Sequence, residues 1–126
     1  MAKVIISPLR VPVTKKKDWT LNLNQYRNTH YQTLNKAKVV YKELIKDQLL
    51  GFICVHPITI EYTLFVKTQR RMDIGNVLSV HQKFFEDALV ELSCIPDDDY
   101  HWIPQVVFSY GGQDKDNPRV EITIQV

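Results

Sequence analysis

Arg70 and Arg71, then Asp73, then Lys83 and Asp87 four residues apart, then Asp97, Asp98 and Asp99 in a row: these side chains set the chemistry the sequence offers. Arginines bind phosphate oxygens in a fixed fork. A hard divalent cation takes oxygen ligands, and Mg²⁺ often uses only one or two carboxylates plus water and phosphate. A lysine among such acids can neutralise a developing negative charge. Together the types suit metal-assisted hydrolysis of a phosphodiester in nucleic acid. Three adjacent carboxylates repel one another unless solvent or a cation screens them. The plain alternative is an acidic turn, with Pro96 and Asp97 as its turn residues.

The elements that must position these groups are legible as periods. Over residues 76–92 the apolar side chains Val77, Leu78, Phe84, Phe85, Ala88, Leu89 and Leu92 recur at helical spacing. Asn76, Lys83 and Asp87 fall together on the opposite face, and Lys83 and Asp87 are close enough to touch. Asp73 and Asn76 precede the run, where side-chain oxygens cap free N–H groups. A capped amphipathic helix with a solvated charged face would read the same way. Residues 58–66 alternate as a strand, with Ile58, Ile60, Tyr62, Leu64 and Val66 on one side. Lys67 to Arg71 then leads into the acidic motif.

Residues 35–50 predict a second helix with a lysine-rich face, stopped by Gly51. Residues 4–13 predict an opening strand broken or edged by Pro8 and Pro12, followed by a basic loop at Lys15, Lys16 and Lys17. Residues 21–31 have no clear period and read as a long loop. Its Tyr26, Arg27, His30 and Tyr31 offer base stacking or phosphate contacts, or the loop is merely pinned by its asparagines. Residues 100–110 and 120–126 alternate around a turn-rich stretch and predict a C-terminal hairpin. The expected order is β–α–β–α–β–β, an α/β (α+β) sandwich with a mixed sheet and two helices. No repeat or low-complexity tract divides it, so residues 1–126 are expected to form a single domain.

Composition excludes several classes. No apolar run approaches the roughly 20 residues of a membrane span, and residues 1–8 lack a signal-peptide layout, so a cytoplasmic chain is expected. Cys54 and Cys94 suit reduced thiols better than a disulfide scaffold, and with His56 and His101 they match no zinc spacing. The net charge of +2 hides an asymmetry. Residues 1–72 carry 13 Lys/Arg against 4 Asp/Glu, and residues 73–126 carry 3 against 10. A basic half attracts phosphates over a wide surface. The two halves also attract each other within the fold.

The pattern Arg-x-Asp-x-x-Asn, then Lys83, Asp87, Ala88 and Leu89 as Lys-x-x-x-Asp-Ala-Leu, then Asp97-Asp98, resembles the RusA family of Holliday-junction resolvases. The motif core covers about thirty residues, and element order is compatible over nearly all the rest. The resemblance implies a small, often phage-borne Mg²⁺-dependent endonuclease, with Mn²⁺ as an alternative metal. It would act on four-way DNA junctions as a homodimer in a bacterial or phage-infected cell. It implies that Asp73 and Asp98 are metal ligands and that Lys83 is the catalytic lysine; Asp87 matches the aspartate of the Asp-Ala-Leu piece without a defined role, Asp97 matches the first of the paired acids, and either one is a candidate to assist the metal. Arg70, Arg71 and Asn76, with Tyr26 and Arg27 from the asparagine-rich segment, are the candidate DNA contacts. Two departures stand out. The family's second acid, in Asp-x-Asp-Asn, is here Gly75, and the Asn76-to-Asp87 spacing is four residues longer than usual. Four residues are about one helical turn, so the faces are preserved. The missing carboxylate leaves Asp87, Asp97 or Asp99 to replace it, or a weakly bound metal, or a protein that binds branched DNA without cutting.

Overall fold

Ile58, Ile60, Tyr62, Leu64 and Val66 are all buried, and the residues between them are only half-buried. That alternation belongs to a strand packed on one face. The structure, a computed structural model, describes residues 2–126. Its chain runs through β1 (Ala2–Ser7), β2 (Arg10–Pro12), β3 (Asp18–Thr20), α1 (Leu23–Asn28) and α2 (Tyr31–Ile45), which ends in a 3₁₀ turn over Lys46–Leu49. It continues through β4 (Thr59–Val66), α3 (Ile74–Glu91), β5 (Gln105–Gln113) and β6 (Arg119–Gln125). This is an α+β fold with a mixed four-stranded sheet, as the patterning predicts, and with three α-helices rather than two.

The strand order is β1-β6-β4-β5. β4 and β5 run parallel, so a crossover must join them, and α3 is that crossover. The expected C-terminal hairpin does not form. β6 leaves β5 at the edge and inserts antiparallel between β1 and β4, with Ile122 opposite both Ile5 and Tyr62. Burial explains the placement. Val120, Ile122 and Ile124 have no exposed surface, as a central strand requires, whereas β5 has no fully buried residue and carries Gly111 and Gly112. At Gly111 an added Cβ would come within 2.7 Å of the Phe65 ring, so that strand pair needs the glycine.

The opening segment is broken at a proline, one of the two arrangements its sequence predicts. Pro8 separates two strands that belong to different sheets. β2 pairs with β3 in a small ribbon, and the three lysines form its tip, closed by Val13 N–H donating to Lys17 C=O at 3.0 Å. The predicted loop at 21–31 contains α1, whose N-cap Asn22 accepts from Gln25 N–H at 2.8 Å. α2 begins at Tyr31, four residues earlier than predicted.

α2 and α3 pack on the same face of the sheet. Trp19 from β3 stacks on Phe84 of α3 at 5.3 Å, and Tyr41 of α2 meets the same ring edge-on at 5.5 Å. Within this apolar layer Ser7 Oγ bonds Tyr41 Oη at 2.6 Å and His81 Nδ1 at 2.7 Å. The triad fixes α2 and α3 to β1.

Candidate active site

α3 starts where its caps say it should. The Asp73 side chain accepts from Gly75 N–H at 2.9 Å, and Asn76 N–H donates to Asp73 C=O at 3.0 Å. The helix ends with Ser93 in the left-handed region at φ 63°. Cys94 N–H reaches Leu89 C=O at 2.8 Å and Ser93 N–H reaches Val90 C=O at 3.0 Å, which is a Schellman turn. This turn reverses the chain and brings Asp97, Asp98 and Asp99 back along α3. Two of the three acids serve the loop itself. Asp97 accepts from Asp98 N–H at 2.7 Å, and Asp99 accepts from His101 N–H at 3.1 Å. Asp98 is left to face the helix.

It faces a cavity of about 310 Å³ between α1, α2 and α3. α3 lines it with Ser79, Gln82, Lys83, Glu86 and Asp87; α1 contributes Tyr26, and α2 contributes Lys38. Lys83, Asp87, Asp98 and Tyr26, all expected at the site, therefore meet. The expected Lys83–Asp87 contact is replaced. Asp87 pairs with Lys38 at 3.4 Å, and the Lys83 ammonium lies 5.9 Å from the centre of the Tyr26 ring. Asp73, Asn76, Asp97, Arg27, Arg70 and Arg71 do not line this cavity. Asp73 is occupied as a helix cap, and Arg70 and Arg71 are exposed in the segment that precedes it.

Sequence reasoning missed Glu86. It is 7% exposed and accepts from Tyr62 Oη at 2.9 Å. Burial pushes its carboxyl up to about 7, with Asp98 and Asp87 adding repulsion. Burial likewise raises the Asp98 carboxyl, and Asp97 and Asp87 push it the same way. A signal was present: Glu86 is an acid inside the apolar stripe of α3, between Phe85 and Ala88, opposite the inward-facing Tyr62. Lys38 was legible only as part of a basic helix face.

Glu86, Asp87 and Asp98 are hard oxygen donors that face one cavity, which is the donor chemistry of Mg²⁺ or Mn²⁺. Among the described residues no three His, Cys, Asp or Glu side chains are gathered as a full ligand set. A cation there would take one or two carboxylates and keep several waters, as Mg²⁺ does. Among the described residues no helix is long and apolar enough to cross a membrane. No protein-family model matches the chain, and no curated protein matches it.

Proposed function

We propose that this protein is a Mg²⁺-dependent, structure-specific endodeoxyribonuclease that resolves four-way DNA junctions by phosphodiester hydrolysis. One observation carries the reading: Lys83 and Asp87 from one piece of the motif and Asp98 from another line the same cavity. Asp98 and Asp87, with Glu86 in place of the carboxylate missing at Gly75, would hold the cation. The cation would supply an activated water and charge neutralisation at the phosphate. Lys83 stabilises charge on the leaving oxygen. Lys38 holds Asp87 in register. Arg70 and Arg71 hold backbone away from the cut. A junction with near two-fold symmetry has two strands to cut, and a homodimer of this chain would present two equivalent sites.

The test is cleavage of a labelled synthetic four-way junction, with Mg²⁺ and with EDTA, by the wild type and Asp98→Asn. Paired nicks that need the metal and vanish in the variant are expected. Tight junction binding with no nicks under any metal would refute the enzyme and leave a branched-DNA-binding protein. That second reading is favoured by Asp73, which is engaged as a cap and stands apart from the cavity.

A further inference from the structure

A second groove, of about 400 Å³, lies at the other end of the α1–α3 pair. Its floor is apolar, with Leu9, Leu64, Met72 and Val77 among its residues. Its rim carries three exposed cations from two segments: Arg10 of β2, and Lys67 and Arg70 from the connection between β4 and α3. Among the described residues none of the three has an acidic partner, although four other cations of the chain do. No acid among the described residues lines this groove; Asp73, next to the lining residue Met72, caps α3, and Asp114 and Glu121 are both held by Arg119. The amide of Asn22 and the hydroxyls of Thr20 and Thr68 complete the lining.

An apolar floor under a triad of free cations is matched by a flat apolar ring that carries phosphate. We infer that this groove seats one unstacked nucleotide of a DNA strand, its base on the floor beside Met72 and its phosphates on Arg10, Lys67 and Arg70. The inference rests on the nucleic-acid reading above and adds a subsite to it. The geometry joins the two sites. Asn22 lines the groove, and Tyr26, one turn further along α1, lines the acidic cavity. Four residues of helix rise about 6 Å, so the two linings adjoin along α1. A strand leaving the cavity along α1 thus runs towards the groove. Strand exchange points and junction arms offer such unstacked nucleotides, and uninterrupted duplex does not.

The experiment is fluorescence anisotropy of a labelled single-stranded oligonucleotide in EDTA, across a salt series. The oligonucleotide is used intact and with a run of abasic positions. Wild type should prefer the base-bearing strand about tenfold, the scale of one stacked base. Met72→Ser, at an exposed position, should lose most of that preference while binding the abasic strand as before. Arg10→Ala, Lys67→Ala and Arg70→Ala should each lower the log–log salt slope by about 0.7, the value for one released phosphate contact on a single strand. Free deoxyadenosine monophosphate should compete only at far higher concentration, because it engages one phosphate. Circular dichroism of each variant confirms folding. Equal binding of intact and abasic strands, or salt slopes unchanged in all three cation variants, overturns the inference. Nicking of a four-way junction with unchanged slopes would sink the subsite and keep the nuclease. Normal groove behaviour with no nicking would do the reverse.

Discussion

Replacing His81 with leucine should separate the acid stability of this protein from its stability at neutral pH. His81 has no exposed surface, and its Nε2 atom has no hydrogen-bond partner. Burial lowers its pKa to about 3 from the usual 6.5. The folded state therefore keeps the ring neutral where the unfolded chain has already bound a proton. Stability is intact above the unfolded pKa of about 6.5 and is lost progressively as pH falls towards 3. From those two values the loss from this one group is about 2 kcal/mol at pH 5 and about 3 kcal/mol at pH 4. At pH 7.5 the variant gives up the bond from Ser7, which keeps Tyr41 as a partner, and removes the orphaned nitrogen. It should then lie within about 1 kcal/mol of wild type. The assay is urea unfolding of both proteins from pH 8 to pH 4, in EDTA. The His81→Leu variant should overtake wild type as pH drops, by about 2 kcal/mol at pH 5. Parallel profiles for the two proteins would show that His81 is not held neutral, and the reasoning would fail. The comparison is necessary because Glu86 works in the opposite direction. Its carboxyl is raised from 4.5 to about 7, so it costs stability above pH 7 and that cost fades as pH falls to 4.5. The wild-type profile alone is flattened between the two.

Glu86→Gln should stabilise the protein at pH 8 by up to about 3 kcal/mol, with the gap closing below pH 4.5, as read by the same urea series. It should also abolish metal-dependent stabilisation if Glu86 helps to hold the cation, which a melting curve with and without Mg²⁺ would detect. Ser93→Gly should raise the unfolding free energy by about 1 kcal/mol, because glycine adopts the left-handed Schellman position without a Cβ penalty; an unchanged midpoint would argue against that geometry. Gly111→Ala should cost about 1–3 kcal/mol, because its Cβ would collide with the Phe65 ring and the Thr63 methyl at 2.7–2.8 Å. A neutral result in thermal unfolding would mean that Phe65 moves freely on that sheet face.

What the sequence by itself determined is whatever depends on neighbours along the chain. The apolar period of α3, the alternation of β4 and β6, and the α+β class all follow from side chains one to four residues apart, whereas the choice of Asp73 over Asn76 as the cap of α3 came with the structure. The meeting of Lys83, Asp87 and Asp98 was expected only through the family resemblance, because no local rule turns Asp98, eleven residues past Asp87, back against the helix. What only the tertiary structure decided involves partners far apart in the chain. β6 took the central position because three fully buried β-branched side chains outcompete the glycine-bearing β5 for the interior, and no local rule ranks the two strands. Asp87 took Lys38, 49 residues away, over Lys83 one turn away, because the packing of α2 on α3 brings that ammonium in. Glu86 looked like one more helical acid until β4 set Tyr62 against it and closed water out. A buried carboxyl gains its raised pKa from what covers it, and what covers it is decided only when the sheet and helices meet.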